Sequence, residues 1–237
     1  MSTAYIPPPG DESAYQRIFR RNRSWATDAT SRDPSYFARR VREQHPEFLF
    51  IGCADSRVPA ELLTGAEPGE MFVHRNVANL VVPGDLNVLA VLQYAVDVLQ
   101  VKAIVVCGHY GCGGVRAAME APTHGLVDHW LERVRDVMRH HEDVLAAIPD
   151  EAQRYRRLAE LNAAEQAYAL QRNPIVQGAW ARGQALAVHA TVYDLADGVL
   201  RDLSASCCAQ GTIADAHASA WLEAFEARTW SAAPSAR

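Results

Sequence analysis

The chain has no long apolar run. Its unbroken hydrophobic stretches, such as Val88 to Leu92 and Ala103 to Cys107, are five residues long, against roughly 20 for a membrane-crossing helix, so no membrane association is expected. It has no excess of positive charge either: 23 Lys and Arg stand against 28 Asp and Glu, a formal net charge of −5. Nothing therefore draws it to nucleic acid or anionic lipid, and a small-molecule partner is expected. The amino terminus, MSTAYIPPPG, lacks the charged and apolar segments of a secretory signal, which points to a cytoplasmic location. Cysteine is scarce and odd in number. Cys53, Cys107, Cys112, Cys207 and Cys208 cannot all pair, which favours thiols, metal ligands or reactive groups over a disulfide framework. No repeat and no Gly/Ser-rich or Pro-rich linker interrupts residues 15 to 230, so a single domain over 1–237 is expected, with 1–10 and 231–237 as loose ends.

What is present is an alternation of helical and strand patterns. Two helices are expected near 11–29 and 34–45, the second capped by Asp33 with Pro34 at its first position. Phe48 to Cys53 is a short apolar run without alternation, as a strand buried on both faces reads. A second run lies at Met71 to His74. Asp85 can cap a helix over Leu86 to Gln100 with Val88, Leu92, Ala95 and Leu99 on one stripe, and Val101 to Cys107 supplies a further strand, completing a β-α-β crossover. Helices are expected over Leu126 to Leu145 (Trp130, Val134, Met138, His141 and Leu145 on one face), over Glu151 to Gln171, and from Pro174 to Gly183. Leu186 to Tyr193 reads as a strand, with the Asp197-Gly198 turn leading into Val199 to Leu203 as an edge hairpin. A last helix is expected near Ile213 to Thr229. The class is α/β: a mostly parallel central sheet flanked by helices, with a helical N-terminal arm and an edge hairpin.

Polar residues interrupt this pattern at two strand ends. Cys53-Ala54-Asp55-Ser56-Arg57 follows one buried strand, and Cys107-Gly108-His109-Tyr110-Gly111-Cys112-Gly113-Gly114 follows another. In an open α/β sheet ligands bind at that edge. Cys53, Asp55, His109 and Cys112 together can hold a divalent ion, and thiolate with imidazole selects zinc over magnesium or calcium. Cys107 lies deeper in its apolar run and reads as core. The glycines spell G-x-x-G-x-G rather than the G-x-G-x-x-G of a dinucleotide turn, so no nucleotide is implied.

With these residues in view the chain resembles the β-class carbonic anhydrases. The resemblance rests on IGCADSRVPAELLTGAEPGEMFVHRNVAN at 51–79 and LQYAVDVLQVKAIVVCGHYGCGGV at 92–115, with looser similarity at LVDHWLERVRD, LAELNAAEQA and VHATVYDLADG. It implies reversible hydration of carbon dioxide to bicarbonate and a proton by hydroxide formed on one zinc per subunit, in a homodimer that can pair again into a tetramer. It places the zinc ligands on Cys53, His109 and Cys112, and a switching aspartate on Asp55, which either joins the zinc or bonds Arg57. It places the substrate pocket, partly supplied by a neighbouring subunit, on Gln44, Phe72, Val77 and Tyr94 with backbone near Gly113. A second, inhibitory bicarbonate site found in one subgroup falls on Phe50, Arg75 and Tyr193, where Phe50 replaces the usual tryptophan. Tyr110 and His124 lie near the motif as proton-shuttle candidates. Two other readings stay open: a zinc protein permanently closed by Asp55, and a carbon disulfide or carbonyl sulfide hydrolase on the same scaffold.

Overall fold

The computed structural model describes residues 12–41, 44–121, 125–203 and the backbone of 207–208. The expected helix at Ile213 to Thr229, the loose ends and His124 lie outside the described residues. The chain divides into two compact units, Met1–Gln44 and His45–Arg237.

The first unit holds α1 (Ala14–Arg32) and α2 (Tyr36–Arg40). A reciprocal capping box between Ser13 and Gln16 starts α1, satisfying two of its unpaired N–H groups. Asp33 closes α1 rather than capping α2. Its carboxylate accepts from the backbone and hydroxyl of Ser35 and binds Arg39, which holds it down at a pKa of about 2. The second helix is accordingly shorter than expected.

The second unit runs β1 (Phe48–Cys53), α3 (Ala60–Thr64), β2 (Met71–Asn76), a 3-10 turn (Val77–Asn79), α4 (Leu86–Gln93), β3 (Ala103–His109), α5 (Gly113–Met119), α6 (Leu126–His140), α7 (Glu142–Ala146), α8 (Glu151–Gln171), α9 (Pro174–Ala181), β4 (Ala187–Tyr193), β5 (Leu200–Asp202) and β6 (Cys207–Cys208). The sheet order is β2-β1-β3-β4-β5, with β6 also on β4. The first four strands are parallel, and β5 and β6 pair antiparallel with β4. The expected edge hairpin is therefore present. Leu49 and Ile51 of β1 face a large core shared with Ile104, Val106, Leu131, Leu158, Leu161 and Val188. Phe50 faces the other side, with Ala60 and Cys107. This is the two-sided burial that an unalternating apolar strand implies.

Three boundaries moved for physical reasons. The expected Leu86 to Gln100 helix keeps its Asp85 cap but widens into a π-type turn over Tyr94–Val98. The expected Leu126 to Leu145 helix breaks at His141, whose φ of −111° and ψ of 29° are not helical. The β3 strand extends to His109, so that histidine ends the strand instead of following it. No helix among the described residues is long and apolar enough to cross a membrane.

Candidate metal centre

From β1 the chain turns to β2 on one side, and from β3 it moves outward to β4 on the other. The crevice between the carboxyl ends of β1 and β3 is thus the switch point where open α/β sheets bind ligands. Gly52 pairs with Cys107, so Cys53 and His109, the last residues of their strands, project at this crevice. Cys112 joins them from the N-cap of α5. Gly111, with φ of +70°, makes the intervening turn that a side chain would strain. Gly114 lets α5 approach closely, since a Cβ there would lie 2.9 Å from a Val77 methyl.

The ligand atoms of Cys53, His109 and Cys112 all lie within 4.8 Å of one another, and all three residues are buried. The two sulfurs are 3.8 Å apart. That contact pulls the Cys53 thiol well below the usual range, and the same contact together with burial pushes Cys112 up. His109 Nδ1 donates to the Tyr110 carbonyl, which fixes the tautomer and leaves Nε2 as an acceptor. That Nε2 is buried without any hydrogen-bond partner among the described residues, a costly arrangement for a polar atom unless something binds there. Two thiols and an orphaned imidazole nitrogen form the donor set that suits zinc.

Asp55 stands beside this trio, its Oδ2 3.8 Å from His109 Nε2. Arg57 grips it through Nε to Oδ1 at 3.0 Å and a terminal nitrogen to Oδ2 at 2.7 Å, holding its carboxyl far below the normal range. Arg57 also donates to the Gly111 carbonyl at 3.2 Å, tying the β1 motif to the β3 loop.

The pocket residues inferred by resemblance are distributed more widely. Val77 and Asn76 line an apolar recess of about 640 Å³ together with Leu126, Val127, His129 and Trp130. Phe72 and Tyr94 stack with ring centroids 5.7 Å apart. Gly113 opens α5, and Gln44 is exposed at the end of the first unit. Phe50 is fully buried; its ring fills the space that a side chain on Gly52 would need. Arg75 donates to the carbonyls of Cys53 and Asp55, and so braces the motif backbone. Tyr110 donates its hydroxyl to buried Glu160, and burial raises its pKa, so it anchors the loop and is a poor proton shuttle. Cys107 is buried, with its thiol pushed up to about 12 by desolvation, as a core residue should be.

Other residues at the site give no local sequence signal. Ala78 and Asn79 sit at φ of 65° and 49°, a left-handed conformation that costs an alanine roughly 1–2 kcal/mol and that asparagine adopts more readily. It turns the Ala78 N–H toward the Cys53 sulfur. Three groups hold this turn: Trp130 Nε1 donates to the Val77 carbonyl at 2.8 Å, Asn162 Nδ2 to the Ala78 carbonyl at 2.9 Å, and Gln166 accepts from Val81 N–H at 2.8 Å. Asn162 and Gln166 are buried on α8 and bonded to each other. Their spacing of four is the only trace in the sequence that they share a helix face.

A mostly parallel α/β sheet with a cysteine- and histidine-lined crevice at its switch point defines a candidate transition-metal enzyme. Residues 48–200 match the family model described as carbonic anhydrase. A carbonic anhydrase of Emericella nidulans is 43% identical over 207 residues, covering 84% of this chain and 91% of that protein. One of Pseudomonas aeruginosa is 38% identical, covering 72% and 79%. Among solved structures, a tetrameric β-carbonic anhydrase from Sordaria macrospora superposes with a TM-score of 0.78 at 38% identity, covering 83% of this chain and all of that one. The Coccomyxa β-carbonic anhydrase in complex with acetazolamide superposes at 0.77 and 40% identity, covering 81% and 87%. The chain belongs to the carbonic anhydrase family, in its β class.

Proposed function

We propose that the chain catalyses the reversible hydration of carbon dioxide to bicarbonate and a proton, with one zinc ion held by Cys53, His109 and Cys112. The observation that carries this reading is the buried Nε2 of His109, without a hydrogen-bond partner among the described residues, set against two neighbouring thiols. Zinc bound there supplies a Lewis acid that lowers the pKa of a coordinated water. The chain's own residues do the rest. Asp55, kept ionised and turned by Arg57, offers an acceptor oxygen next to the open side of the trio, where it orients the attacking water. The recess beside Val77 is apolar, which suits an uncharged, poorly hydrated gas. Because Asp55 is held on Arg57, the geometry favours an open site over the permanently closed alternative.

A homo-oligomer fits the surface. In the first unit α1 buries none of its residues and exposes Tyr15, Ile18 and Trp25 by half or more. In the second, Leu86, Tyr94 and Val98 are exposed along α4 and its π-type extension. Such apolar surface is usually covered by a partner, and the Sordaria relative is tetrameric. We read the chain as a homodimer able to pair again, with Phe72, Val77, Tyr94 and Gly113 lining the substrate pocket.

The experiment is a stopped-flow carbon dioxide hydration assay with carbon disulfide and carbonyl sulfide tested as competing substrates. Hydration without hydrolysis of the sulfur compounds supports the reading. Hydrolysis of those compounds in place of hydration overturns it.

A further inference from the structure

A second group of ligand-bearing side chains lies away from the Cys53 motif. His140 ends α6, His141 occupies the break before α7, and Glu165 faces them from α8. In a continuous helix, successive side chains diverge by about 100°. The non-helical backbone of His141 instead brings the two imidazoles together, ring centroids 4.7 Å apart. Glu165 Oε1 lies 2.8 Å from His141 Nε2 and 3.8 Å from His140 Nε2, and the three ligand atoms are all within 4.8 Å of one another.

We propose that His140, His141 and Glu165 form a second divalent-metal site that takes zinc. Ligand atoms about 2.0–2.2 Å from a tetrahedral zinc stand roughly 3.3 Å apart; the two separations to Glu165, 2.8 and 3.8 Å, fall on either side of that spacing, and no pair exceeds 4.8 Å. Two imidazoles and one carboxylate are a known zinc donor set. The ion would sit at the carboxyl end of the 15-residue α6, where the helix dipole favours a cation. Glu142 and Asp143 in the first turn of α7 offset the opposing end of that short helix. His141 is buried while His140 is exposed, so the ligands are partly fixed and the fourth position is open to water. Bound zinc would pin the α6–α7 junction to α8, the helix that carries Asn162 and Gln166 to the turn beside Cys53.

The test uses untagged holoenzyme with its first zinc in place and excess metal removed, titrated with zinc chloride in a calorimeter. The expected result is one further equivalent per chain, with a Tm that rises with free zinc. His140→Ala, at an exposed position, should weaken that equivalent by about tenfold or more, and Glu165→Gln should do the same, while both keep the first zinc and the unperturbed hydration rate. No binding beyond the first equivalent, or a second equivalent retained in both variants, would overturn the proposal.

Discussion

The Arg57 guanidinium holds the Asp55 carboxylate by two parallel hydrogen bonds, at 3.0 and 2.7 Å, while the same carboxylate lies 3.8 Å from the His109 Nε2. Arg57→Ala frees Asp55 to move onto the metal position, because the competing cation is gone. The expected outcome is a severe loss of hydration with zinc retained, read by metal analysis beside the rate. Near-normal activity in this variant would show that Asp55 needs no restraint.

Cys112→Ala should lose most of its zinc and all measurable activity, since one of three ligands to a closely built site is gone. Cys107→Ser should keep its metal, because the Cys107 thiol is buried in the apolar cluster with Phe50 and Ala60. Full zinc in an active Cys112→Ala protein would remove Cys112 from the ligand set.

The Ala78 carbonyl receives its hydrogen bond from Asn162, and Asn162→Ala leaves it buried and unpaired. A loss of about 1–3 kcal/mol is expected, together with slower hydration as the turn beside Cys53 relaxes. Thermal unfolding should show a Tm lower by several degrees; an unchanged Tm would mean that the turn holds without α8.

His74 is buried, and desolvation lowers its pKa. The folded state therefore prefers the neutral ring. The stability this contributes is complete above the unfolded value near 6.5 and is lost as pH falls from there through the lowered folded value. Melting temperature should drop between about pH 7 and pH 5, and His74→Gln should show a shallower drop over the same range. Parallel profiles would assign the acid sensitivity to other groups.

The two buried strands and the motifs at their ends were legible because β1 and β3 are apolar on both faces, so Cys53 and His109 stand out as polar interruptions. The same logic placed Cys107 in the core. What escaped was set by tertiary contacts. The left-handed Ala78 and Asn79 carry no glycine signal, since their turn is imposed from outside by Trp130 and Asn162. Arg75 reads as a strand residue, yet its role on the Cys53 and Asp55 carbonyls depends on β2 lying beside β1. Tyr110 looked free to carry protons until Glu160, fifty residues on, took its hydroxyl. The break at His141 was hidden because its apolar-face spacing continues through it to Leu145.

The central claim is tested most directly by stripping the metal, returning zinc one equivalent at a time, and measuring carbon dioxide hydration from about pH 6.5 to about pH 9. Two thiolate ligands offset the charge of the ion and raise the pKa of its water above that of an all-histidine site. The account predicts an inactive stripped protein whose hydration returns with the first equivalent and climbs toward alkaline pH. Zinc-saturated protein that hydrates no carbon dioxide at any pH in that range would contradict it.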